Sequence, residues 1–343
     1  MAEPLMALQH LTRQFDTRRG KITAVDDVSL ALHPAEILCL VGESGSGKTT
    51  VARMAAGLLK PSAGTVEFEG KDLQKLSKDE FKEYRKAVQI VHQDPYASLN
   101  PVHTVGETLS APLLHHKLAK GRREATRRVG ELLELVDLRP AENFITKYPH
   151  QLSGGQRQRI SVARAMALNP RLIIADEAVS MVDVSIRVSL LNTMLKLRND
   201  LGVTFLFITH DLAVVKYFGW EGHVGVMYVG KLIEYGPTPK VIGRPLQPYT
   251  RALAAAIPEA DPDLTRSKEK LQLRSLDIPS LTNLPGGCVF HPRCPYFEEG
   301  LCDITMPPLV EVAPDRHVAC HIVERELTGQ IIAAPATRQA AAD

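Results

Sequence analysis

Apolar and polar residues alternate through residues 5 to 35 around a predicted basic loop from Arg13 to Lys21. Alternation places every second side chain on one face, so antiparallel strands with one covered face are predicted here. The pattern then changes. Ile37-Leu38-Cys39-Leu40-Val41 is apolar throughout, as expected of a strand buried on both faces. It runs into Gly42-Glu43-Ser44-Gly45-Ser46-Gly47-Lys48-Thr49-Thr50, and a helix is predicted from Lys48 to Leu59, stopped by Gly57 and Pro61. Residues 64 to 70 read as turn, alternating strand and turn, and Lys78 to Lys86 as a charged helix.

Val88 to Val91 is a short apolar strand leading into the loop His92-Gln93-Asp94-Pro95-Tyr96-Ala97-Ser98-Leu99-Asn100-Pro101. A helical pattern occupies Thr104 to Val136, and its basic run from Lys120 to Arg128 is expected to be a solvated face. Ser153 is a natural N-cap before a second helical stretch that reaches Leu168 and stops at Asn169-Pro170. The apolar strand Leu172 to Ala175 ends in two acids, Asp176 and Glu177. After a helix from Ser185 to Arg198, the apolar strand Val203 to Ile208 ends in Thr209-His210-Asp211. Two more strands, Gly222 to Tyr228 and Lys231 to Tyr235, close this part. From about residue 240 proline recurs, at 245, 248, 258, 262 and 279 among others, which predicts a loop-rich appendage. The alanine-rich tail from about 331 is expected to fray.

Strands alternating with helices predict an α/β fold, and 343 residues suffice for two domains. Lys and Arg number 41 against 39 Asp and Glu, so the formal charge of +2 gives no sign of a nucleic-acid ligand. Met1-Ala2-Glu3-Pro4 lacks the basic and apolar stretches of a signal peptide, and none is expected. No apolar run approaches the roughly 18 residues of a membrane span, so a membrane role is expected to come through a partner.

The chemistry concentrates at three places. Gly42, four residues, then Gly47-Lys48-Thr49 is the spacing of a phosphate-binding loop between a strand and a helix. Its glycines, with Ser44 and Ser46 between them, let backbone N–H groups converge on a phosphate, and Lys48 and Thr49 suit the β/γ-phosphates and Mg²⁺. Ser153 with Gly154 and Gly155 forms a second helix N-terminus with exposed N–H groups. Asp176 and Glu177 sit where open α/β sheets place their ligands. Of five cysteines, Cys39 reads as a small buried hydrophobe. Cys288, Cys294, Cys302 and Cys320 cluster near the end, separated by five, seven and seventeen residues. Four thiolates could hold Zn²⁺ or a [4Fe-4S] cluster.

Taken in order, the phosphate loop, Gln93, Leu152-Ser153-Gly154-Gly155-Gln156, Asp176-Glu177, Asp183 and His210 resemble the nucleotide-binding subunits of ATP-binding-cassette transporters over about residues 5 to 260. Gln93 to Pro101, Pro248-Tyr249-Thr250-Arg251-Ala252-Leu253, Gly287-Cys288 and Pro292-Arg293-Cys294-Pro295 narrow the resemblance to the dipeptide and oligopeptide importer branch. It implies a P-loop, RecA-like core with an antiparallel β subdomain and a helical subdomain at about 94 to 168. The nucleotide-binding domain would span 1 to 240, and a loop-rich, cysteine-containing extension 241 to 343.

The resemblance also implies roles. Phe15 would stack on adenine. Gly42, Ser44, Gly45, Ser46, Gly47, Lys48, Thr49 and Thr50 would hold ATP, and Thr49, Gln93 and Asp176 would surround Mg²⁺. Glu177 would polarise the attacking water and His210 would contact the γ-phosphate. Ser153, Gly154, Gly155, Gln156 and Asp183 would serve a head-to-tail dimer with a second ATPase, usually a paralogue. Two transmembrane permeases and an extracytoplasmic peptide-binding protein would complete the system at the cytoplasmic face of the inner membrane. Members of the branch with a similar cysteine pattern carry an iron-sulfur cluster. Two alternatives stand beside this. One is a soluble cassette ATPase of translation or DNA repair, and the other an importer of nickel, glutathione or oligosaccharide. The sequence departs from the family at Ala178, where Pro is usual, and at Met181-Val182, where Ala-Leu is usual. The acids themselves are intact, so hydrolysis is expected, and whether one composite ATP site is slower than the other stays open.

Overall fold

The computed structural model describes residues 3–17, 20–257 and 271–323. The alanine-rich tail, Pro258 and Pro262 lie outside the described residues. Among the described residues twelve strands form two sheets. The first is antiparallel, in the order β2-β1-β4-β5, from β1 (Met6–Thr17), β2 (Gly20–Leu32), β4 (Ala63–Phe68) and β5 (Lys71–Asp72). The predicted basic loop is mostly strand. β1 runs through Arg13 to Thr17, pairing Phe15 with Ile22, because only residues 18 and 19 separate the two strands.

The second sheet has eight strands in the order β11-β12-β10-β9-β3-β8-β7-β6. They are β3 (Ile37–Val41), β6 (Val88–Val91), β7 (Leu172–Asp176), β8 (Thr204–Thr209), β9 (His223–Tyr228), β10 (Lys231–Pro237), β11 (Val310–Ala313) and β12 (Arg316–Val318). From β9 across to β6 all four pairings are parallel, and the three beyond, starting at β9 and β10, are antiparallel.

β3 has both faces covered, and its side chains divide by parity. Leu38 and Leu40 face the antiparallel sheet and the helix Lys48–Ala55, while Ile37, Cys39 and Val41 face the helices on the other side. Each large apolar side chain so buried contributes roughly 1.5–3 kcal/mol, and this explains the unbroken apolar run.

Thr104 to Val136 is not one helix but two, Val105–His115 and Arg122–Leu135. Val105, Leu109 and Leu113 of the first and Ala125, Val129 and Leu133 of the second are buried in the same core, which requires the chain to turn back between them. The basic run is a solvated face, with Arg127 paired to Glu131 and Arg128 to Glu124.

The proline-rich appendage is more tightly built in than its composition suggests. β12 pairs with β10, Glu234 opposite Val318, so the β11–β12 hairpin prolongs the large sheet. Val289, Phe290, Cys294 and Ala319 join the same core as Tyr228 and Tyr249. Among the described residues no helix is long and apolar enough to cross a membrane.

Candidate functional site

The carboxyl ends of β3, β8, β7 and β6 lie side by side at one edge of the sheet, because these strands are parallel neighbours. Each delivers one chemical group to that edge, the place where doubly wound sheets bind ligands. After β3 the chain enters the phosphate loop. Gly42 has φ +153° and Gly47 φ +101°, and a Cβ at Gly47 would stand 2.4 Å from the Ala24 carbonyl oxygen. Only glycine fits that turn. Lys48, at the start of the helix, is buried, and its ammonium donates to the Gly42 carbonyl (2.7 Å), the Glu43 carbonyl (2.9 Å) and Ser46 Oγ (3.1 Å). Burial lowers its pKa, while the carboxylates of Glu177, Asp176 and Glu43 oppose that shift.

Thr49 Oγ1 donates to Asp176 Oδ1 at the end of β7, 3.1 Å away. Desolvation raises the Asp176 pKa, partly offset by this hydrogen bond. A buried carboxylate beside a hydroxyl offers hard oxygen ligands to a cation. Next to it, Glu177 accepts from Gln93 Nε2 at 2.9 Å, and His210 Nδ1 lies 3.4 Å from its other oxygen. Gln93 Nε2 also reaches Ser180 Oγ at 3.4 Å. Glu177 has φ +50°, a left-handed conformation that a non-glycine residue adopts at a cost, and its N–H is held by the Ile208 carbonyl. Such strain is a recurrent mark of functional positions. No pattern in the sequence announces it.

The structure therefore brings together Lys48, Thr49, Gln93, Asp176, Glu177 and His210. It does not add the second predicted anion site to them. Ser153 caps the helix Gly154–Met166, accepting from the Gln156 N–H at 3.3 Å while Gln156 Oε1 accepts from the Ser153 N–H. Those side-chain bonds stay within the cap, and Ser153 faces solvent. Gly155 is pressed against Ile186, leaving no room for a Cβ. Asp183 is exposed before the helix Val184–Leu201, with Met181 and Val184 exposed beside it, and Ala178 is buried. Phe15 is half-buried in β1 with the Arg13 guanidinium 4.7 Å over its ring. Ser44, Gly45 and Thr49 are solvent-exposed along the loop, and Thr50 is half-buried on the helix behind it.

Sequence reasoning missed a set of side chains behind the phosphate loop. Arg293 meets the Glu43 carboxylate through both terminal nitrogens, at 2.7 and 3.1 Å, and Tyr249 Oη accepts from the Glu43 N–H at 2.8 Å. The motifs Pro248-Tyr249 and Pro292-Arg293-Cys294 were visible as strings; what they touch was not.

None of the four clustered cysteines takes part in a disulfide. Burial raises the Cys288 thiol to about 11 and the Cys294 thiol to about 12. Among the described residues no group of three or more His, Cys, Asp or Glu side chains is arranged to hold a metal ion. The expected four-cysteine metal set, zinc or iron-sulfur, thus finds no preformed ligand cage. His291 and His321 are engaged by backbone carbonyls, those of Cys288 and Thr305.

A family profile described as ABC transporter matches residues 25–180, and one described as the oligopeptide/dipeptide transporter C-terminal region matches residues 233–302. The chain is 41% identical over 329 residues to a probable peptide ABC transporter ATP-binding protein, y4tS, of Sinorhizobium fredii, covering 94% of this chain and 91% of that protein. It is 43% identical to the oligopeptide transport ATP-binding protein AppF of Bacillus subtilis, covering 90% and 92%. Among solved structures, the dimeric post-hydrolysis state of the ATP-binding cassette MJ0796 bound to ADP and Pi superposes with a TM-score of 0.62. It is 29% identical and covers 68% of this chain and 98% of that one. The chain belongs to the ATP-binding proteins of the ABC transporter family.

Proposed function

We propose that this chain is the ATP-hydrolysing subunit that energises import of di- or oligopeptides through two partner permeases. The observation that carries it is the convergence of Lys48, Thr49, Asp176, Gln93, Glu177 and His210 on one sheet edge. In this reading Lys48 and the loop amides hold the phosphates of ATP. Thr49, Asp176 and Gln93 supply oxygen ligands for Mg²⁺, which offsets charge on the β- and γ-phosphates. Glu177 orients and polarises the attacking water, and His210, on the far side of that carboxylate, contacts the γ-phosphate. Phe15 stacks on the adenine. Phosphoryl transfer needs positioning and charge stabilisation above all, and these groups are held by strand ends rather than by long loops.

Ser153 and Gln156 bond within their own helix cap and not to the groups gathered around Lys48; with Gly154, Gly155 and Asp183 they would close over the ATP of an opposing subunit. That subunit is a second ATPase, by the habit of the branch a paralogue. The assembly sits on the cytoplasmic face of the membrane through its permeases, with an extracytoplasmic peptide-binding protein delivering cargo. Residues 1–240 are the nucleotide-binding domain, with the helical part at about 94–168, and 241–343 a regulatory extension. The expected test is Glu177→Gln. ATP binding should stay within about threefold of wild type while hydrolysis falls roughly 10²- to 10⁴-fold, the usual worth of a positioned general base. Near-normal turnover in that variant would refute the assignment.

A [4Fe-4S] cluster at Cys288, Cys294, Cys302 and Cys320 belongs to the same proposal. Its support is the donor pattern. Backbone hydrogen bonds from Phe290 and His291 to Cys288, from Tyr296 to Cys294, and from Val323 and Ile322 to Cys320 lower those thiol pKa values against the larger upward effect of burial. Hydrogen bonds to sulfur stabilise thiolates, which buried thiols otherwise resist forming. When bound, the cluster would crosslink four segments of the extension and make their packing sensitive to oxidant.

A further inference from the structure

The phosphate loop is held from outside the nucleotide-binding domain. Arg293 lies 250 residues beyond Glu43 in the chain, is nearly fully buried, and grips the Glu43 carboxylate with both terminal nitrogens. Its NH1 also reaches Tyr228 Oη at 3.3 Å, and its guanidinium lies 5.8 Å from the centre of the Phe290 ring. Tyr249, wholly buried against Tyr228 and Phe290, takes the Glu43 backbone N–H. One residue of the loop is therefore fixed through its main chain by one part of the extension and through its side chain by another.

The chemistry of this contact is specific. Glu43 places a carboxylate beside a loop built for a polyanion, and it is close enough to act on the Lys48 ammonium. Left unpaired, that carboxylate would repel the phosphates and draw Lys48 toward itself. A bidentate guanidinium both neutralises it and fixes its direction, which a lysine point charge does less well. The loop backbone is held at its far end as well, with the Ser46 carbonyl accepting from the Gly230 N–H at 3.0 Å. Holding Glu43 keeps it so before ATP arrives, and preorganisation of this kind lowers the cost of binding.

We propose that Arg293, seconded by Tyr249, is a positioning residue for ATP: the extension sets nucleotide affinity by pairing Glu43 and bracing the phosphate loop. This rests on the loop being the ATP site, as proposed above. The test is equilibrium binding of a fluorescent ATP analogue to the full-length chain, comparing wild type with Lys48→Ala, Arg293→Gln, Arg293→Lys, Glu43→Gln and the Arg293→Gln/Glu43→Gln pair. Arg293→Gln should weaken binding about tenfold, the scale of one lost charge-assisted contact, and Arg293→Lys should lie between it and wild type. The double variant should bind more tightly than Arg293→Gln alone, because the repelling carboxylate is gone. A merely structural arginine predicts the reverse, with the second substitution adding damage. Unchanged affinity in Arg293→Gln, or a double variant no better than that single one, overturns the proposal. Wild type and Lys48→Ala binding the analogue equally would instead overturn the ATP-site assignment itself. Should Arg293→Gln not fold, Glu43→Arg decides alone. It places two cations in contact and adds charge at the loop, so slower hydrogen exchange of residues 42–46 than in wild type would refute the brace, and faster exchange supports it.

Discussion

Glu234 is where the proline-rich extension is fastened to the sheet, and its removal should be costly. Its carboxylate is completely buried in β10 and accepts three hydrogen bonds: from Arg316 of β12 at 2.9 Å, and from the N–H groups of Leu246 and Gln247 at 3.1 Å each. Gln247 in turn caps the helix Pro248–Ala255, which carries Tyr249 to the phosphate loop. Glu234→Ala leaves a buried guanidinium, whose Nε already lacks a partner, facing two stranded amides. Breaking a buried ion pair from one side costs about 3–5 kcal/mol, and the orphaned amides overlap with that figure rather than adding to it in full. We therefore expect a loss of about 4 kcal/mol, a large share of the roughly 5–15 kcal/mol that holds a typical domain together. Urea unfolding followed by circular dichroism measures it, and hydrogen exchange over residues 310–319 locates it. Because among the described residues β12 meets the rest of the sheet through β10 and β11 alone, exchange should rise there before it rises in β3. The apolar pair Glu234→Leu/Arg316→Met should recover more than half of the loss, since replacing both buried charges removes the desolvation cost as well as the attraction. A change under about 1 kcal/mol in Glu234→Ala, or an apolar pair as damaged as the single variant, would refute the assignment of this contact.

Other consequences follow from the same geometry. His223 bridges Glu36 at 2.5 Å and Asp315 at 2.6 Å, and the two carboxylates raise its pKa to about 9 against the ordinary value near 6.5. A group with a raised folded-state pKa stabilises fully below about pH 6.5 and loses that contribution as pH rises through about 9. About 2 kcal/mol should therefore disappear between those values, after discounting the half-exposed Asp315 for screening; a His223→Gln variant whose stability falls equally over that range would contradict it. Gly47→Ala puts a methyl into the Ala24 carbonyl at a left-handed φ, so ATP binding should drop by more than about 100-fold while circular dichroism stays native-like; binding within a fewfold of wild type would show the turn to be adaptable. Protein purified without oxygen should be brown with stoichiometric iron and sulfide, and should lose both in Cys294→Ser; colourless, iron-free preparations would count against the cluster.

The sequence alone determined the local chemistry and the order of elements. Apolar runs such as Ile37 to Val41 and Leu172 to Ala175 marked doubly covered strands because no polar side chain can be tolerated on either face. The glycine spacing at 42 to 47 marked a phosphate loop because few other uses require that backbone. Asp176 and Glu177 were legible as candidates because they end an apolar strand, and Gln93 and His210 through the family resemblance. What the sequence could not hold was the pairing of distant segments. The parallel strand order sets Thr49 against Asp176, and Gln93 and His210 against Glu177, a juxtaposition fixed by sheet register and not by spacing along the chain. The left-handed backbone of Glu177 has no signature in residue type. The extension looked like a loose appendage because proline and loop composition report local backbone preference only. Its attachment depends on one buried acid in β10, one arginine in β12 and an arginine that returns across 250 residues to Glu43. Charge and burial acquire meaning only when tertiary structure removes the water between such partners.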